Sequence, residues 1–134
     1  MKILAYPLHI INFTQQFTYL NMMNITRDID GDYYQVKVIG EVDASSSIHL
    51  DTALGEAVES DKSKILVDCS ELNYISSAGL GVFMSYIQEL EVKQKQFVIF
   101  GLNDKVKNIF QILGLDQLLT IVDSEKQAKE MHGI

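Results

Sequence analysis

Only one cysteine, Cys69, occurs in the 134 residues, so an internal disulfide framework is unavailable and a reducing compartment is implied. It directly follows an apolar run and reads as a small buried hydrophobe rather than a nucleophile. Cations are also scarce, with 11 Lys and Arg against 18 Asp and Glu, a net charge of −7. That balance argues against nucleic acid, which needs a Lys/Arg surface facing phosphate, and equally against an anionic membrane. No run approaches the roughly 18 apolar residues that would cross a bilayer. A cytoplasmic chain with no membrane insertion and a protein or small-molecule partner is expected.

Catalytic and cofactor machinery is missing too. His9, His49 and His132 lie far apart in different predicted elements, and with one cysteine they make no zinc-ligand pattern. Ser77 is flanked by Ser76 and Ala78, not by the glycines of a nucleophile elbow. Gly79-Leu80-Gly81 lacks the third glycine of a dinucleotide fingerprint and falls inside a predicted helix rather than in the turn before it. No glycine-rich phosphate loop ending in Lys-Ser/Thr is present. The carboxylates are scattered over polar faces. No enzyme, metal or cofactor is expected.

What the chain does contain is a regular alternation of strands and helices. Ile25-Thr26-Arg27 and Tyr33 to Ile39 read as two strands joined at the Asp30-Gly31 turn, with Tyr34, Val36 and Val38 on the buried face. Gly40-Glu41-Val42-Asp43 closes the second strand, and Ser45, Ser46 and Ser47 offer caps for a first helix. Its stripe is Leu50, Ala53, Leu54, Ala57 and Val58. Ile65 to Asp68 is a strand, followed by a short polar turn. A second helix runs from Ser77 to about Val92, with Leu80, Phe83, Met84, Ile87 and Leu90 facing the core. Gln96 to Phe100 is the next strand. Asn103 or Asp104 caps a third helix that Gly114 stops in a left-handed conformation. Leu119 to Val122 is a last strand, and Ser124-x-x-Gln127 resembles a capping box for a final helix.

This order predicts an α/β fold in one domain. It has a mainly parallel sheet of four to five strands, an antiparallel N-terminal strand and about four helices. The domain spans 23–134. Residues 1–22 show no sustained period and no signal-peptide pattern, and read as a loosely held extension or a mis-called start. The alternative there is that Ile10 to Phe13 adds an edge strand.

The stretch Leu72 to Val82, Leu-Asn-Tyr-Ile-Ser-Ser-Ala-Gly-Leu-Gly-Val, is the most informative in the chain. Two serines open an apolar-periodic helix, where a hydroxyl can cap unpaired N–H groups and where the helix dipole favours an added phosphate. Extended back to Val67, the stretch resembles the signature of the STAS domain, closest to the bacterial anti-sigma factor antagonists. Gly40-Glu41-Val42-Asp43 resembles the family's Gly-Glu-hydrophobic-Asp turn. Ile112-Leu113-Gly114-Leu115 followed by Leu119 to Val122 resembles its C-terminal segment.

The resemblance implies binding rather than catalysis. An unphosphorylated antagonist holds a serine-kinase anti-sigma factor and frees a sigma factor for transcription. Phosphorylation releases the complex, and a PP2C-type phosphatase resets it. By position the acceptor is Ser77, with Ser76 a rival because it stands where many members carry Asp. The implied partner surface combines Asp43, Ser45, Ser46, Ser76, Ser77, Gly79 and Leu80, extended by Ser85 and Gln88. The alternative is a non-switching STAS scaffold or a soluble subunit of a transport or sensory complex.

Overall fold

Alternating apolar residues and well-spaced turn signals give the chain five strands, and a computed structural model, described over residues 23–132, shows how they are ordered. The strands are β1 (Asn24–Asp30), β2 (Tyr33–Val42), β3 (Lys64–Ile75), β4 (Gln96–Phe100) and β5 (Thr120–Val122). They lie in one sheet in sequence order. β1 and β2 form an antiparallel hairpin, and every later pairing is parallel. The helices are α1 (Ser47–Glu59), α2 (Ser77–Ser85), α3 (Ile87–Val92), α4 (Asp104–Ile112) and α5 (Glu125–His132), with a 3-10 turn at Leu115–Gln117.

Strands that advance in one direction through right-handed crossovers must put the crossing helices on one face. The core divides accordingly. Val36, Val38, Ile65, Val67, Phe97 and Ile99 pack with Leu50, Leu54, Phe83, Leu90, Val106 and Phe110 from α1 to α4. The opposite strand positions, Leu66, Val98 and Phe100, pack with Ala128 of α5. Phe83 stands edge-on to both Phe97 and Phe110, at centroid separations of 6.4 and 5.7 Å. Each such fully buried side chain contributes about 1.5–3 kcal/mol. Cys69 is fully buried, and that burial pushes its thiol up, out of the range where a thiolate forms.

The expected element order holds, with three corrections. The polar turn expected after Asp68 is strand: β3 continues to Ile75, paired beyond Asp68 only with β2. Register shifts between Lys37/Ile39 and Gly40/Glu41 insert extra residues in β3, and that breaks the alternation by which a strand is recognised. The expected second helix is interrupted at Tyr86, dividing it into α2 and α3. Met84, expected in the core, is 50% exposed.

Smaller expectations stand. Asn103 caps α4 by accepting from the Val106 N–H at 2.8 Å. Gly114 has φ +73. Ser124 Oγ accepts from the Gln127 N–H at 3.2 Å, while Gln127 Oε1 accepts from Asp123 N–H rather than from Ser124. The expectations for residues 1–22, including the Ile10–Phe13 strand and His9, lie outside the described residues, as does the His132 side chain. Among the described residues, no helix is long and apolar enough to cross a membrane.

Candidate functional site

β2 and β3 are parallel and end side by side, with Val42 opposite Ile75. The turns that follow them are therefore neighbours at the C-terminal edge of the sheet, where open α/β folds place their sites. The Ser76 N–H donates to the Val42 carbonyl at 2.8 Å and ties the two turns together.

The first turn is organised by Asp43. Its Oδ1 accepts from the Ser46 N–H at 2.8 Å and from the Ser45 and Ser46 hydroxyls, each at 2.9 Å. In return the Ser46 Oγ accepts from the Asp43 N–H at 2.9 Å. Asp43 and Ser46 thus hold each other in a reciprocal turn ahead of α1, Ser46 precedes the helix without capping it through its side chain, and the Ser47 N–H donating to the Asp43 carbonyl at 3.0 Å continues the turn into α1. The serines expected to cap α1 are thus held by the aspartate. The Ser46 N–H, together with the Ser45 and Ser46 hydroxyls, holds the Asp43 carboxyl below the usual carboxylate range.

The second turn divides its two serines. Ser76 is extended (φ −84, ψ 172) and caps α2, its Oγ accepting from the Gly79 N–H at 3.2 Å. Ser77 is the first residue of α2 and is exposed, and its hydroxyl bonds to no other described residue. Asp43 and Ser45 are exposed and Ser46 half-buried.

Gly79 and Leu80, expected at the partner surface, are buried. A Cβ on Gly79 would lie 2.6 Å from Ile75 Cγ1 and 2.8 Å from Val42 Cγ1, so this glycine lets α2 close onto the sheet. Leu80 faces the core for the ordinary reason of helical period. Ser85 and Gln88 are exposed as expected, and so is His49.

Two large apolar residues close to these turns in the chain, which the sequence pattern does not single out, are exposed. Ile48 is 63% exposed and Tyr74 42%. Ile48 sits off the Leu50-Ala53-Leu54 stripe of its own helix, a signal readable in the sequence. Neither α1 nor α2 contains a lysine or arginine. Among the described residues no group of three metal-ligating side chains converges. A groove of about 630 Å3 between α3, β4 and the 3-10 turn includes none of these site residues.

A family model described as Mlab, STAS domain, matches residues 25–122. The chain belongs to the STAS domain family. The anti-sigma-B factor antagonist of Listeria monocytogenes is 33% identical to this STAS domain over 114 residues, covering 83% of this chain and 97% of the relative. Its namesake from Staphylococcus aureus is 29% identical over 99 residues, covering 74% and 92%. Of solved structures, an anti-sigma factor antagonist from Mycobacterium paratuberculosis matches the STAS fold at TM-score 0.76 and 19% identity, covering 83% of this chain and 94% of its own. The phosphorylated Bacillus cell fate determinant SpoIIAA matches at 0.63 and 16%, covering 81% and 98%. These structural likenesses concern the fold.

Proposed function

We propose that this STAS domain is an anti-sigma factor antagonist, a binding protein rather than an enzyme. In its unphosphorylated form it holds a serine-kinase anti-sigma factor in the cytoplasm. Phosphorylation of Ser77 releases the partner, and a PP2C-type phosphatase restores the binding form. The observation that carries this reading is Ser77 itself. It is exposed and otherwise unengaged at the start of α2, in a chain 33% identical to an anti-sigma-B factor antagonist across almost all of that relative's length. Ser76 is the poorer acceptor, because its hydroxyl already caps the helix. Asp43, Ser45 and Ser46 contribute a turn of fixed shape beside the acceptor.

A phosphate adds about −1.5 to −2 charges and three acceptor oxygens. At a helix N-terminus the fold tolerates it, gaining up to ~1 kcal/mol at an exposed site. A partner packed over Ser77 would have to desolvate the dianion, and with no lysine or arginine on α1 or α2 nothing on these helices neutralises it. Losing ~3 kcal/mol of binding energy weakens affinity about 150-fold.

The test is intact-mass and peptide mass spectrometry of the protein from its own cells, beside a Ser77→Ala strain. One phosphate on Ser77, absent from the variant, is the expected result. No phosphate under any growth condition would favour a non-switching scaffold or transport-complex subunit, and a phosphate on Ser76 would move the acceptor.

A further inference from the structure

Gly55 stands in the middle of α1, where glycine weakens a helix, and its φ is not positive, so the backbone does not need it there. What needs it is one atom. A Cβ at this position would lie 2.9 Å from the Tyr86 hydroxyl oxygen, whereas the next atom, Tyr86 Cζ, is at an ordinary 3.8 Å. That hydroxyl lies 2.7 Å from Asp51 Oδ1 and 2.9 Å from the Asp51 carbonyl, donating to α1 across 35 residues of chain. Alanine at 55 with phenylalanine at 86 would remove the glycine and lose a single half-exposed hydrogen bond, serving stability about as well. What the Gly55–Tyr86 pair adds is direction.

Tyr86 also stands where the second helix breaks. Its N–H donates to the Phe83 carbonyl at 3.3 Å, a bond three residues back instead of four, and Ser85 Oγ donates back to the Val82 carbonyl at 2.6 Å. The break leaves α2 with nine residues, two of them glycine, and such a helix has little rigidity of its own. Leu80 and Phe83 bury its middle. Its start is tied to β2 by the Ser76 N–H on the Val42 carbonyl, and its end to α1 by Tyr86. Ser77 precedes Tyr86 by about two and a half helical turns, so an end drawn toward α1 turns the acceptor to the opposite side, where it is exposed.

Resting on the antagonist reading above, we propose that Tyr86, admitted by Gly55 and held by Asp51, is a positioning residue for the Ser77 switch. It locks the end of α2 to α1, the helix that the Asp43 turn opens. Ser77 and the Asp43 turn thereby keep a fixed relation, although they sit on different helices.

Two readouts on the full-length protein test this: amide hydrogen exchange, and steady-state phosphorylation of Ser77 by the purified serine-kinase anti-sigma factor from the same genome. Tyr86→Phe should speed exchange of the α2 amides about tenfold with β3 and β4 unchanged, and raise KM about fivefold at constant kcat, because a smaller fraction of molecules holds the competent geometry. Gly55→Ala should do the same, since its methyl group displaces the hydroxyl. The double variant should be no worse than Tyr86→Phe alone and melt above it, because without the hydroxyl the alanine meets only ordinary contacts and favours the helix. Asp51→Asn keeps an acceptor oxygen and should stay within about twofold of wild type in both readouts. If Tyr86→Phe leaves α2 exchange and KM within about twofold of wild type, or if the two single losses add in the double variant, Tyr86 only packs and the antagonist reading stands. A wild-type protein on which the kinase places no phosphate overturns the antagonist reading and the role of Tyr86 with it.

Discussion

The starts of α1 and α2 are built from the same residue type and end in opposite states. Around Asp43 every serine hydroxyl is engaged: Ser45 and Ser46 with the carboxylate, and Ser47 donating to the Ala44 carbonyl at 2.9 Å. At α2 one serine caps and the next is left facing solvent. A serine at a helix start is thus a structural part or an available acceptor according to whether a backbone N–H or a carboxylate already holds it. The local turn decides: Ser76 is extended and its Oγ accepts from the Gly79 N–H, whereas Ser47, the first residue of α1 as Ser77 is of α2, finds the Ala44 carbonyl within reach.

The contrast can be broken most severely at its hinge. Gly79→Ala should destabilise the domain by about 1–3 kcal/mol in denaturant unfolding, because the new methyl group overlaps two buried side chains. An unchanged midpoint would mean that α2 can lift off the sheet at little cost. Next comes the cap: Ser76→Ala should cost about 1 kcal/mol and leave phosphorylation at Ser77 intact. Ser77→Ala should do the reverse, moving stability by less than about 0.5 kcal/mol while abolishing the phosphate. Circular dichroism melts and phosphopeptide mapping of the two variants side by side would show whether the roles separate as described.

Ser77→Asp should weaken kinase binding with no loss of helical signal, because a negative charge at a helix start is tolerated. An unfolded variant would rule out a switch confined to the interface. The smallest effect belongs to Asp43. Its folded-state pKa is lowered, chiefly by the Ser46 N–H, so its contribution is present above the ordinary carboxylate range and is lost as pH falls through the depressed value. Carboxyl NMR titration should find Asp43 among the more acidic groups, and Asp43→Asn should erase that step.

Much of the fold was legible because its causes are local. The α1 stripe, the Asp30-Gly31 hairpin, the Asn103 cap and the Gly114 stop each depend on a few adjacent residues, and each is where the pattern puts it. The C-terminal half of β3 was not legible, since its register shifts answer to β2 and not to its own sequence. The break at Tyr86 belongs to the same class, with its hydroxyl held by Asp51, 35 residues earlier in the chain. At the site, Ser77 and Asp43 were visible as motif residues, while the burial of Gly79 and Leu80 was not.

By itself, then, the sequence determined the order of the elements and the parallel crossovers, because hydrophobic period and turn chemistry act over one or two turns of chain, and its resemblance to the family singled out the serine. Only the tertiary structure decided which of two adjacent serines is free and that Gly79 is required by close packing, while the meeting of the Asp43 and Ser77 turns follows from the parallel order of the strands. Those depend on what packs against each position, and β2, α1 and β3 come together there only after the sheet has formed.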